Sequence, residues 1–315
     1  MSYWKEFSLA TQMQKSLVPM TDEIRQRHGI VTDPRRNRRH HVDNAFSIGI
    51  PLVGTLLAIA SMAWLPPSAE VMLIFAITFA LTTTGASLGL HRYFTHRSYK
   101  TSRAGHAILA LCATMTMQGT IIRWVADHRR HHRFTDQSGD LHSPYFDSSG
   151  RKIESTAKGL LHAHVTWMFT VNGTEDARYA PELLKDGVCV WYTKHYWSVN
   201  ALVMLLCGAS VYILTHDAAQ ALLGVLYAGC IRVTLIQNFT WAVNSIGHTY
   251  GARVVDAKDQ STNNLLLSLL TLGDGLHSSH HQSPTRGVNP PQYLDMGGML
   301  LIGLEKIGVI WQLKR

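Results

Sequence analysis

Cysteine is scarce in this chain. Cys112, Cys189, Cys207 and Cys230 lie scattered in or near apolar segments, with no C-x-x-C pair among them. That spacing excludes a thiolate zinc knuckle and argues against a disulfide framework, leaving four small apolar fillers. The first residues, MSYWKEFSLATQ, are polar and lack the apolar core of a cleavable signal. No ladder of interleaved aromatic and basic residues occurs, so the net charge of +8 is not read as a nucleic-acid surface. Charge itself is missing from long stretches. Residues 45–65, 70–90, 197–214 and 218–243 are apolar, and only Glu70 and Arg232 carry a charge within them. A membrane-spanning helix takes about 20 mostly apolar residues. Four spans in two helical hairpins are therefore expected. Arg232 would be costly facing lipid, so it is expected to face the protein interior, near the polar head of a substrate.

Basic residues orient these spans. The short links PPSA and THD inside the hairpins contain no Lys or Arg, whereas eight precede the first span, thirteen fall in 91–186 and six follow Asn244. The positive-inside rule puts both termini and the large middle segment in the cytoplasm, facing an anionic leaflet. The run DPRRNRRHH (33–41) reads as a membrane-proximal anchor. The expected architecture is an all-α integral membrane protein. It has a cytoplasmic segment over 1–44 and one membrane domain over 45–315, whose helical cap is drawn from 91–196 and 244–315.

What the chain has in excess is histidine, eighteen in all. They cluster as HRYFTH (His91, His96), HRRHH (His128, His131, His132) and HSSHH (His277, His280, His281). In the two H-x-x-H-H stretches, positions i, i+3 and i+4 share one helix face. His91 and His96 are about 140° apart on an ideal helix, so they can flank a site but not stack along one face. Eight imidazoles exceed the four ligands of one zinc and suit two metals with open positions. All-imidazole ligation is compatible with iron, copper or nickel. His28, His40, His41, His106, His195 and His216 are isolated or in polar surroundings, and are read as ordinary. His142 is expected to hydrogen-bond in a cap loop, and His162 and His164 to support the site or touch substrate.

The three boxes resemble those of the membrane fatty-acid desaturase family, most of all its acyl-CoA branch. The likeness extends to WVADHRRHHRFTDQSGDLHSP (124–144), GLLHAHVTW (159–167) and NFTWAVNSIGHTYG (238–251), and covers most of residues 70–290. It implies a four-span protein with a cytoplasmic cap. It also implies two iron ions, O2 and two electrons, used to place a cis double bond, delta-9 for instance, in an acyl chain. By resemblance the iron ligands are His91, His96, His128, His131, His132, His248, His277, His280 and His281, with Asn244 holding an iron-bound water. Asn244 and His248 are four apart, so they can share one helix face. Asp127 and Asp274 suit carboxylates that orient ligand imidazoles; for Asp274 the alternative is a turn residue in GDG. Trp124, Thr240 and Trp241 match positions that bend the acyl chain. Phe79 and Thr83, about 18 and 12 Å along the helix from His91, match the closed end of the substrate tunnel.

Three positions depart from the family pattern. Leu276 and Ser278 replace residues that are often Trp and Asn, and Ala126 stands where animal relatives carry an Arg near the CoA group. The substrate is read as an acyl thioester, CoA before acyl carrier protein or glycerolipid. No H-P-G-G segment of a fused b-type cytochrome occurs, so a separate ferredoxin, rubredoxin or cytochrome is expected as donor. The alternatives are a hydroxylase or acetylenase on the same scaffold, or a non-enzymatic metal-binding membrane protein. A transporter is disfavoured, because only Arg232 is ionisable well inside a span.

Overall fold

A computed structural model describes residues 20–290 and 292–315; the polar start, residues 1–12, lies outside them. The helices are, in order, α1 (Asp22–His28), α2 (Pro34–Ser61), α3 (Ala69–Thr95), α4 (Arg103–Thr114), α5 (Ile121–Phe134) and α6 (Thr156–Leu161, running on through His162–Thr166 to Trp167–Thr170). There follow α7 (Asp176–Tyr179), α8 (Gly187–Lys194), α9 (Tyr196–Thr215), α10 (Ala218–His248), α11 (Leu265–Leu270), α12 (His277–Gln282) and α13 (Met296–Lys306). Strands β1 (Lys100–Thr101) and β2 (Ile310–Trp311) form a short antiparallel pair that ties the C-terminus down.

Four of these helices, α2, α3, α9 and α10, are long and apolar enough to cross a membrane, which makes this a multi-pass membrane protein. Three of them outrun the apolar windows read from the sequence. Helix α2 starts at Pro34, because Asp33 caps it by accepting the Arg35 amide and Pro34 is suited to the first helical position. The basic run 35–41 therefore rides on the first span. Helices α3 and α10 continue to Thr95 and His248, carrying His91 and His248 past the apolar runs.

Helix α10 is the central span. Half of its most apolar stretch is buried, against 22–33% in the other three. A Cβ at Gly54 of α2 would overlap the Cys230 side chain, so glycine lets α2 lie close against α10. Gly208 of α9 and Gly224 of α10 allow a similar approach between those two. The first span thus packs chiefly on the fourth. Arg232 does face the interior, fully buried, donating to the Met115 carbonyl (2.9 Å) and Thr82 Oγ1 (2.5 Å). It ties α10 to α3 and to the segment after α4, and it lines neither arm of the crevice described below, so the expected place near a substrate head is not where it lies. The four cysteines are buried and free. Below the site, Leu90, Phe94, Ile121, Val125 and Leu183 form an apolar core that fixes α5 against the end of α3.

Candidate metal centre

The end of α3 is not an ordinary helix. From Gly85 to Thr95 it is wound as a π-helix, and the His96 amide donates to the His91 carbonyl at 3.2 Å. That i→i+5 bond places residue 96 one turn beyond residue 91. Their rings lie 5.0 Å apart, so the two histidines share a face that ideal α-helical geometry denied them. Helices α5 and α12 carry the two H-x-x-H-H triplets, and the last turn of α10 brings in His248.

All nine histidines converge, in two groups. His91, His96, His128, His132 and His280 offer ring nitrogens within 4.8 Å of one another, and so do His131, His248, His277 and His281. Each triplet divides between them. The i, i+4 pair His128 and His132 joins the first group while His131 turns to the second; His277 and His281 join the second while His280 turns to the first. A single helix face thus feeds two adjoining sites, with the His131 and His132 rings 5.6 Å apart.

Carboxylates orient four of the rings. His91 Nδ1 lies 2.9 Å from Asp274, His131 Nδ1 2.9 Å from Asp140, His248 Nδ1 3.0 Å from Asp136 and His281 Nδ1 2.8 Å from Asp259. Asp274 is thus where the sequence reading put it. Asp127 is not; it turns to Arg123 (3.6 Å), and its Oδ1 has no partner. Asp136, Asp140 and Asp259 were missed, although Asp136 and Asp140 lie within ten residues of the second box.

These bonds test whether the pockets fit a metal. With Nδ1–H donated to carboxylate, the Nε2 atoms of His131 and His281 face each other at 3.3 Å as two lone pairs. His91 Nε2 meets His280 Nε2 at 2.9 Å. Burial, then the neighbouring imidazoles, holds His96, His128, His131, His132, His277 and His280 well below the usual imidazole range, so these rings are neutral. Buried His96 Nε2, His248 Nε2 and both nitrogens of His277 have no hydrogen-bond partner. Converging lone pairs without protons need a cation between them. The donor set fits a transition metal at each group.

Two arms of one crevice meet beside these sites. The inner arm runs from His91, His128 and His277 past Ile236 and Val243 to Thr83 and Phe239. The outer arm holds Asn44, Arg123, Asp127, His142 and Trp241. Trp124, His128, Thr240 and Asn244 line both and form the junction. Gln118, missed in the sequence, braces it, donating to Thr240 Oγ1 (3.1 Å) and accepting from Trp124 Nε1 (3.4 Å). Phe79 does not reach the crevice; it packs edge-on to Phe239, whose ring does.

The remaining histidines differ in their parts. The His142 ring lies tilted against the His131 ring, 4.3 Å between centroids, and its Nδ1 is buried without the loop hydrogen bond expected of it. His164 bridges Ser245 (3.0 Å) and Asn238 (3.2 Å) on α10, and His162 is buried with Nε2 unpartnered. His106 bonds Tyr93 and Asp186, outside both groups.

Comparison with known proteins agrees with this geometry. Residues 68–293 match the family described as Fatty acid desaturase. The chain is 38% identical to a hex-5-enoyl-(acyl-carrier protein) acetylenase of Moorena producens (strain JHB), over 84% of this chain and 83% of that protein. It is 30% identical to an sn-1 stearoyl-lipid 9-desaturase of Anabaena variabilis (76% and 80% covered) and 29% identical to stearoyl-CoA desaturase 5 of Bos taurus (73% and 66%). The metal-fitting histidines, the four spans and these relatives converge: the chain belongs to the fatty acid desaturase family, an oxidoreductase of the membrane that desaturates fatty acyl chains.

Proposed function

We propose that the protein places a cis double bond in an acyl thioester, acyl-CoA by preference, using two irons held by the nine histidines. The observation that carries this reading is the junction. One arm runs past Ile236, Phe239 and Val243, the other carries Arg123 and Asp127, and the two share Trp124, His128, Thr240 and Asn244 beside the nitrogen-lined sites, which suits a chain with an apolar tail and a polar head. When bound, iron with O2 supplies the strong oxidant that unactivated methylenes require and side chains cannot. The residues of the chain do the rest. Ile236, Val243 and Phe239 exclude water from the tail, and Trp124, Thr240 and Gln118 hold the bend that presents adjacent methylenes to the metals. Asp136, Asp140, Asp259 and Asp274 keep ring protons on Nδ1 and Nε2 free for metal. Asn244 adds a hydrogen-bonding amide at the junction without charge.

Both termini and the metal centre are proposed to face the cytoplasm, with residues 45–315 acting as one unit and a separate ferredoxin, rubredoxin or b-type cytochrome as donor. A second reading follows from the Moorena relative. The same site would then act on an acyl carrier protein thioester and take hydrogen from an existing double bond. Fatty-acid profiling of a desaturase-deficient host, followed by assays of iron-reconstituted protein with CoA and carrier-protein thioesters, separates the readings. Loss of two hydrogens from a saturated chain supports the first. Gain of oxygen, or action on enoyl chains alone, overturns it.

A further inference from the structure

The segment between α4 and α5 carries Gln118, which braces the junction of the crevice, yet its own backbone is strained. Met117 is buried at a φ of 51°, in the left-handed region that a residue with a side chain seldom adopts. Gly119, just beyond Gln118, has a φ of 95°. Strain of this kind persists only where the surroundings over-determine it. Inside the segment the Met117 amide donates to the Thr114 carbonyl (3.2 Å) and the Gln118 amide to Thr116 Oγ1 (3.4 Å). Those bonds shape a turn but tie it to no other element.

The tie comes from α10. Gln237, buried there, donates from Nε2 to the Met117 carbonyl (2.9 Å) and to the Ser47 carbonyl of α2 (3.0 Å). Earlier in the helix, Arg232 Nη1 donates to the Met115 carbonyl (2.9 Å). Further along, Thr240 Oγ1 accepts from Gln118 itself (3.1 Å). Among the described residues no backbone amide reaches the Met115 or Met117 carbonyl, so these side chains are what satisfies them. Arg232 is the expensive member. It is a fully buried cation inside a span, bonded to the Ala228 and Met115 carbonyls and the Thr82 hydroxyl, with no carboxylate partner among the described residues. An apolar side chain could fill that space without the penalty of a charge in the membrane, but it could not hold a carbonyl.

We propose that Arg232 and Gln237 are positioning residues, which hold the strained segment 115–119, and with it Gln118, at one place on α10. On the acyl reading proposed above, that placement decides where the chain bends and which of its carbons meet the metals. Arg232 lines neither arm of the crevice, so it acts through the segment and touches no substrate. Gln237 also lines the outer arm, which makes Arg232 the cleaner probe.

The test uses the full chain in nanodiscs, iron-loaded for turnover and zinc-loaded for hydrogen exchange. Arg232→Met and Gln237→Leu should each raise exchange across 115–119. With saturated acyl thioesters they should also broaden the products to chains oxidised at neighbouring carbons. Turnover should fall by up to about 100-fold, as a small misplacement of reacting groups does. If Arg232→Met does not fold, Gln237→Leu carries the test. Gln118→Ala should give the same mixture, and adding Arg232→Met to it should change the mixture no further, because both act through one contact. Thr82→Val removes the hydroxyl partner of Arg232 and should leave the isomers unchanged. Gly208→Ala crowds the α9–α10 contact, so it should lower the Tm and still leave them unchanged. The proposal is overturned if exchange in 115–119 does not rise, or if it rises while the isomers stay as in wild type. It is equally overturned if Gly208→Ala gives the same mixture, since general loosening would then suffice. A wild type that oxidises no acyl chain with any reductant sinks the acyl reading instead, and the exchange measurement then decides whether Arg232 and Gln237 hold the segment.

Discussion

Asp140 and Asp259 each accept a ring proton from a histidine whose other nitrogen faces the metal sites. Carboxylates in that position set the tautomer, and losing one typically costs 10–100-fold in metal affinity. Asp140→Asn and Asp259→Asn should show losses of about that size in chelator competition, whereas Asp127→Asn, whose carboxylate accepts from no histidine, should keep wild-type affinity. Equal affinities in all three would remove the carboxylates from the site. Asn244→Ala should keep most metal yet lose most turnover, since it lines the junction with an uncharged amide rather than an imidazole. Loss of metal in that variant would make Asn244 structural. Under the proposed function, chain length should also depend on single residues. Phe239 and Thr83 wall the inner arm, and Phe79 only backs Phe239. On a mixed acyl series, Phe239→Ala should shift products toward longer chains, Thr83→Ile toward shorter ones, and Phe79→Ala less than Phe239→Ala. Unchanged profiles in active protein would show that the wall lies elsewhere.

Elements set where these residues can meet. A Cβ on Gly85, the first residue of the π-wound end of α3, would overlap the Cys112 carbonyl on α4. Glycine there lets the two helices close, and with them His91 and His96. Gly85→Ala should lower the Tm by an amount worth about 1–3 kcal/mol, as forced overpacking does. It should also lose metal first from the five-histidine group. Metal counting alongside thermal unfolding checks both, and full metal with an unchanged Tm would show that α4 yields without disturbing α3. The π turn also explains why the box HRYFTH was hard to read. Its five-residue spacing looks wrong for one face until the hydrogen bonding changes from i→i+4 to i→i+5.

Across the whole molecule, the spans and the metal centre are held by different forces. The spans bury apolar surface around α10, while segments 124–144 and 248–282 meet largely through imidazoles and carboxylates. Chelation should therefore raise hydrogen exchange in those cap segments and leave α9 and the membrane part of α10 protected. Uniform loss of protection would make the centre a support for the entire fold. Orientation belongs to this scale too. A fluorescent protein fused to the C-terminus should fluoresce in bacterial cells, and an alkaline phosphatase fused there should be inactive; the reverse pattern would invert the proposed topology.

The four apolar runs, the all-helical character and the eight histidines of the three clusters were legible because each rests on local properties. A span needs length without charge, and a ligand needs an imidazole beside others at helical spacing. His248 was reached only through resemblance, since nothing in its own neighbourhood marks it. The sequence could not show that each H-x-x-H-H triplet serves two sites. Periodicity says which residues share a face, but what that face meets depends on the helices packed against it. For the same reason Asp136, Asp140, Asp259, Gln118 and Phe239 were not singled out. Their roles arise from contacts between segments as many as 160 residues apart, as when Phe79 meets Phe239. Helical spacing carries direction along one element, whereas the crevice and its metal sites exist only between elements.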